Sequence, residues 1–247
     1  MTAVRALAFL VLAPVLTAVF FALCCVGLLF DPVRGSVGHA ISRVWARSIL
    51  LAAGARLVVT GAEHFAPGEA RVVVANHASY LDIPAMLAAF PGPLRIVARR
   101  SLAWLPFIGW YIFLQGHFFL DRDDPRQALA LMERAAARMR RRRISPLVYP
   151  EGTRSRDGRL QVLKAGAFFL PLRAQVPVQP VAILGSREIL PKGAWAPRRG
   201  GTIEVRVGDA IPTAGRGGAP SRKALAAEVR ASLLALGVPA GDATPAA

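Results

Sequence analysis

His77 closes an apolar run and is followed five positions later by Asp82, in VVVANHASYLDIP at residues 72–84. An imidazole takes up and releases a proton near neutral pH. A carboxylate beside it can set its tautomer and leave the other ring nitrogen free to accept a proton. On one continuous helix a spacing of five would turn the two side chains about 140° apart. The pair therefore requires a loop over residues 78–81, with Asp82 capping the next helix and Pro84 in its first turn. His39, His64 and His117 have no comparable setting.

A second cluster is YPEGTRS at 149–155, which again ends an apolar run, ISPLVYP. Gly152 allows a tight turn with exposed backbone N–H groups. Arg154 offers a guanidinium fork suited to phosphate, and Glu151 a carboxylate able to accept hydrogen bonds from glycerol-type hydroxyls. Taken alone, the same residues also describe a turn with a surface ion pair. Cys24 and Cys25 are adjacent and are the only two cysteines, so there is neither a disulfide framework nor a cysteine metal site.

Both clusters need strands to place them. After Gly54, short β-rich runs alternate with helical stretches. The strands expected are 56–60, 71–76, 94–98, 117–120, 144–149, 178–184 and 202–207. Helices are expected near 83–90, 101–114, 126–143, 164–174 and 221–236. This alternation predicts an α/β fold: a largely parallel twisted sheet flanked by helices. VVVA at 72–75 is apolar throughout, as a strand buried on both faces should be. His77 then falls at the carboxyl end of a strand, where open α/β sheets bind their ligands.

Ahead of this domain, residues 6–30 carry no charge between Arg5 and Asp31. As a helix the run spans about 37 Å, against a hydrocarbon core of about 30 Å. It is read as a membrane-anchoring helix; a cleaved signal would have an apolar region of only about 7–15 residues. Residues 37–53 fit two readings: a helix on the membrane surface with Trp45 near the headgroups, or a helix packed on the core. The organisation expected is membrane helices over 1–54, a catalytic domain over 55–236 and a disordered tail over 237–247.

The net charge of +16 comes from 31 Lys and Arg against 15 Asp and Glu, and 54% of the residues are hydrophobic. A basic, hydrophobic chain points to a membrane with anionic lipid. Nucleic acid is set aside, because no nucleic-acid motif is present and no aromatics interleave with the basic residues. The run RMRRRR at 138–143 fits either a solvated helix end or a membrane-facing patch. Arg34, Arg43 and Arg47 follow the apolar run, with only Arg5 before it. The positive-inside rule then places the main domain on the cytoplasmic side of the inner membrane.

Four blocks in order resemble the bacterial 1-acyl-glycerol-3-phosphate acyltransferases, within the glycerolipid acyltransferases. They are NHASYLD at 76–82, GHFFLDR at 116–122, YPEGTRS at 149–155 and VPVQPVAI at 176–183. Tyr149 stands where the family more often has Phe, and Arg99 and Arg100 stand where lysines are common. The resemblance covers about residues 55–185. It implies acyl transfer from acyl-CoA or an acyl carrier protein to a lysophospholipid, with no cofactor, no metal and no covalent acyl-enzyme. His77 would be the general base and Asp82 its partner. Gly116, Arg122, Glu151, Gly152, Thr153 and Arg154 would bind the substrate, with Arg122 and Arg154 on its phosphate and Glu151 and Thr153 placing its glycerol. Ser79 would shape the loop. The same motifs fit acylation of another lysolipid, such as a lyso-ornithine lipid, or a non-catalytic lipid-binding protein of this fold.

Overall fold

The structure is a computed structural model that describes residues 2–31, 36–66, 68–105, 107–120 and 125–241. In chain order its helices and strands are α1 (Thr2–Phe30), α2 (Ser36–Ala52), β1 (Ala55–Thr60), β2 (Val72–Ala75), α3 (Asp82–Ala89), β3 (Leu94–Arg99), α4 (Ile108–Leu114) and β4 (Phe118–Leu120). Then follow α5 (Pro125–Arg142), β5 (Ser145–Val148), α6 (Phe169–Ala174), β6 (Val178–Leu184), α7 (Ser186–Ile189), β7 (Gly201–Val207) and α8 (Gly218–Ala235).

The seven strands form one sheet in the order β1-β7-β6-β2-β5-β3-β4. All pairings are parallel except β6 with β7. β2 lies in the middle and all four of its residues are buried. Successive side chains point to opposite faces. Val73 and Ala75 join a core with α2 and α3, while Val72 and Val74 join a second core with α5, α6 and α8. The near-absence of polar residues in β2 follows from this two-sided burial.

The seven strands expected from sequence all form, with ends shifted by a residue or so. The helix expected over 101–114 divides into a 3-10 turn at Arg100–Trp104 and α4. Phe107, with φ +60°, breaks the helical path between them. The stretch 164–174 likewise divides into a 3-10 turn at Ala165–Phe168 and α6.

α1 carries a stretch, Val4–Gly27, that has Arg5 as its one charge and is long and apolar enough to cross a bilayer; it is mostly exposed, so it is not the core helix of the domain. Only one side of it packs inward, through Phe9, Ala13 and Leu16. α2 packs between α1 and α3, burying Ala46, Ile49 and Leu50. Trp45 donates from Nε1 to Thr17 Oγ1 at 3.3 Å and its ring lies 6.4 Å from that of Tyr111. α2 thus packs against the core on one side, while Val37, Val44 and Leu51 on it stay exposed.

Residues 237–241, expected to belong to a disordered tail, instead pack against the domain. Val238 is buried in the second core, and Leu160 N–H donates to the Pro239 carbonyl at 2.8 Å. The apolar side chain of Val238 outweighs the small, loop-like composition around it. Residues 242–247 lie outside the described residues.

Candidate active site

β2, β5 and β6 are neighbours and run parallel, so the segments leaving their carboxyl ends converge. β2 delivers His77 and Asp82, β5 delivers residues 149–155, and β6 delivers Gly185 and Ser186. The next link is the turn after β2. His77 Nδ1 lies 2.7 Å from Asp82 Oδ2. The same oxygen accepts the backbone N–H groups of Ala78, at 2.7 Å, and Ser79, at 2.9 Å.

The expectation that Asp82 caps the next helix is corrected here. Asp82 is the first residue of α3, Leu81 occupies the cap position, and no side-chain cap bond forms. The carboxylate points backwards and gathers the N–H groups of the loop that precedes it. That closes residues 78–81 into the tight turn a five-residue spacing demanded.

Asp82 Oδ1 accepts the hydroxyl of Ser186 at 2.5 Å. Asp82 is 1% exposed, and a buried carboxylate is tolerable only where hydrogen bonds replace its water. Four donors do so. With both Asp82 oxygens taken by donors, His77 Nδ1 must carry a proton, and Nε2 is left as the acceptor. The His77 side chain is 15% exposed, so it is reachable from outside.

Tyr149 stacks on the imidazole with ring centroids 4.0 Å apart and an interplanar angle of 17°. Burial pushes its phenol well above the usual range, and Asp82 adds to the effect. The Tyr149 hydroxyl is buried with no partner among the described residues.

Glu151 is placed differently from its expected role. It is 3% exposed; Oε1 accepts His77 N–H at 2.7 Å and Oε2 accepts Gln161 N–H at 3.0 Å. It ties the β2 and β5 segments together instead of presenting a free carboxylate to a glycerol hydroxyl. Ser155 N–H returns a bond to the His77 carbonyl at 2.7 Å. Burial raises the Glu151 carboxyl to about 7, against the two backbone N–H bonds that lower it.

Gly152 adopts φ +77° and turns the chain, as a Gly at that point permits. Arg154 lies over the Tyr80 ring with its guanidinium carbon 3.4 Å from the centroid, and its Nη1 is buried without a partner among the described residues. Thr153 Oγ1 accepts Lys192 Nζ at 3.1 Å, and the Arg154 carbonyl accepts the same ammonium at 2.7 Å. Ser79, read as loop-shaping, donates to the Leu190 carbonyl at 2.6 Å and accepts Leu81 N–H at 3.1 Å.

Gly116 is not brought to this cluster. It precedes β4, at the amino end of the sheet's parallel strands, where Arg138 Nη1 donates to its carbonyl at 2.8 Å. Its φ is +64°, and a Cβ there would come within 2.1 Å of Arg138. Arg122 lies outside the described residues. Sequence reasoning missed Ser186 and Lys192. The signal for Ser186 was Gly-Ser at a strand's carboxyl end; nothing in the spacing marked Lys192.

A buried carboxylate setting the tautomer of a reachable imidazole, at the carboxyl ends of parallel strands of an open α/β sheet, is the arrangement a general base requires. The acyltransferase family model matches residues 56–184, and the chain belongs to that family. It is 36% identical to human 1-acyl-sn-glycerol-3-phosphate acyltransferase alpha over 164 residues, 66% of this chain and 57% of that protein. It is 31% identical to the chloroplast 1-acyl-sn-glycerol-3-phosphate acyltransferase LPAT1 of Arabidopsis thaliana over 206 residues, 81% of this chain and 57% of that one. The chain thus spans a little over half the length of the curated relatives it matches. The crystal structure of the 1-acyl-sn-glycerophosphate (LPA) acyltransferase PlsC from Thermotoga maritima superposes with a TM-score of 0.78 at 24% identity, over 98% of this chain and 100% of that one. At that identity the likeness is one of fold.

Proposed function

We propose that this protein moves a fatty acyl group from an acyl thioester to the sn-2 hydroxyl of 1-acyl-glycerol-3-phosphate, giving phosphatidic acid. The observation that carries the reading is the His77–Asp82 bond at 2.7 Å, with Asp82 held by three further donors. His77 Nε2 takes the proton of the hydroxyl as its oxygen attacks the thioester carbonyl. The Asp82 carboxylate stabilises the imidazolium that forms. The thiolate of the donor leaves and is protonated from His77, which restores the base. No acyl-enzyme is needed, and Ser79, whose hydroxyl is taken by the Leu190 carbonyl, serves the loop.

Arg154 binds the phosphate. Its buried Nη1, unpartnered among the described residues, and its seat on Tyr80 support this role, because a stacked guanidinium is preorganised for a bidentate anion. Arg122, just beyond β4 in sequence, shares the phosphate. Glu151 and Gly152 shape the floor of the site, and Thr153, held by Lys192, places the glycerol. Gly116 acts indirectly, by fixing the start of β4 against Arg138. α1 anchors the enzyme in the inner membrane with the catalytic domain on the cytoplasmic side, next to anionic lipid.

The test is an assay of the purified full-length chain against lysophosphatidic acid, other lysophospholipids and lyso-ornithine lipid, each with acyl-CoA and with acyl carrier protein. Acylation of lysophosphatidic acid well above the others is expected. A strong preference for a lysolipid without a phosphate would overturn the substrate assignment.

A further inference from the structure

The 3-10 turn at Arg100–Trp104, the link after it and α4 together expose Trp104, Leu105, Phe107, Ile108, Trp110 and Phe113. Trp104 is 87% exposed and Phe113 74%. Six large apolar side chains within ten residues make a patch of the kind that soluble surfaces seldom carry. The patch is not isolated. Phe21 of α1 packs against both Phe107 and Trp110 with ring centroids 6.0 Å apart, and Phe107 lies 5.6 Å from Trp110. The exposed apolar surface of α1 therefore runs without a break onto α4. An open apolar cleft lined by Phe21, Gly109, Trp110 and Phe113 lies between them.

The chemistry along the patch is graded. Arg99 and Arg100 are exposed where β3 ends, and Trp104 and the other apolar side chains follow. Basic groups suit anionic headgroups, tryptophan suits the headgroup boundary, and Phe, Leu and Ile suit the acyl region beneath. Phe107 holds φ +60°, uncommon for a residue with a side chain, and the rings of Phe21 and Trp110 pack around it there.

We infer that the 100–113 segment is a second membrane contact, seated in the headgroup and upper acyl region of the leaflet beside α1. This rests on the reading of α1 as the membrane anchor. Its consequence is positional. The segment leaves the carboxyl end of β3, the end of the sheet at which His77 stands, so its insertion turns the mouth of the site towards the bilayer surface.

Three reporters in the full-length chain test this, each the sole tryptophan with the natural ones replaced by phenylalanine. Trp104 reads the patch. Val15→Trp reads exposed α1, and Ala224→Trp reads the outer side of α8, on the opposite face of the sheet. The proteins are reconstituted in phosphatidylethanolamine–phosphatidylglycerol vesicles whose acyl chains carry bromine. Trp104 and Val15→Trp are expected to lose most of their emission and to resist iodide, while Ala224→Trp keeps its emission. Quenching at Val15→Trp with Trp104 as bright and iodide-accessible as Ala224→Trp would overturn the second contact and leave the anchor standing. No quenching at either position would overturn both. Trp104 protected from iodide yet unquenched by bromolipid, in a chain that sediments as a dimer, would assign the patch to a second copy and overturn the membrane contact. Because the reporters need no turnover, quenching in a chain that acylates no lysolipid would support the contact while refuting the proposed reaction.

Discussion

Ser186 Oγ donates to Asp82 Oδ1 at 2.5 Å, across 104 residues of sequence. Gly185 makes this possible: at φ +81° it turns the chain sharply after β6, and a Cβ there would lie 2.1 Å from the Thr202 carbonyl. On the proposed mechanism Ser186 acts on His77 through Asp82, as a positioning residue. A hydrogen bond to a charged group is worth about 1.5–3 kcal/mol. Ser186→Ala should therefore lower kcat by about 10–100-fold, with the KM for lysolipid nearly unchanged. Ser186→Thr should restore much of the loss. Equal changes in kcat and KM, or no rescue by Thr, would reduce Ser186 to a packing role.

His77→Ala removes the proposed base. Activity should fall by about 10²–10⁴-fold with the fold intact, because the imidazole is partly exposed and only its Nδ1 is bonded. Asp82→Asn is a harsher change to the fold, since an amide NH₂ must then face one of the donors now on Asp82. Both losses should be similar in a double-mutant cycle and should not add. A folded His77→Ala protein keeping more than about a tenth of wild-type turnover would contradict the general-base role.

The Tyr149 ring lies flat on His77, but its hydroxyl is buried without a partner among the described residues. An unsatisfied buried polar group costs about 1–3 kcal/mol. Tyr149→Phe should raise the urea midpoint and leave kcat within about twofold, a change too small to reflect a lost catalytic contact. Tyr149→Leu, which loses the flat face, should lower kcat. A severe activity loss in Tyr149→Phe would give the hydroxyl a role in the reaction.

Glu151 titrates at about 7 in the fold, above its ordinary 4.5, chiefly because it is buried. The folded state thus holds the proton more tightly than the unfolded chain. The stability this adds is full below about 4.5 and is lost as the pH rises through about 7. Glu151→Gln cannot titrate, so that fall should vanish from its pH–stability curve. The amide must also oppose either His77 N–H or Gln161 N–H, at a cost of about 1–3 kcal/mol. Urea melts of both proteins across this pH range check it; parallel curves would remove Glu151 as the titrating group.

Arg154→Lys keeps the charge but loses the planar fork and its stacking on Tyr80. The KM for lysophosphatidic acid should rise while kcat stays nearly intact, as expected when ground state and transition state lose the same contact. Steady-state kinetics with a saturating acyl donor measure it, and an unchanged KM would take Arg154 out of the phosphate site.

The residues by themselves determined the strands, the anchor-length helix and the loop between His77 and Asp82. Each is a local matter. Val72–Ala75 must be buried on both sides because it is apolar on both, and a five-residue spacing cannot bring two side chains together on one helix. The stretch 101–114 was legible as helical but not as broken, since the positive-φ turn at Phe107 packs against Phe21 of α1. Glu151 read as a substrate ligand because its chemistry allows it; only the adjacency of β2 and β5 shows both oxygens already engaged. Ser186 carried only the weak signal of Gly-Ser at a strand's end and Lys192 none, because nothing near them in sequence points to Asp82 or Thr153. Local periodicity and turn chemistry specify elements. Strand order specifies which distant side chains meet, and that order follows from how whole faces bury against one another, which no short window of residues contains.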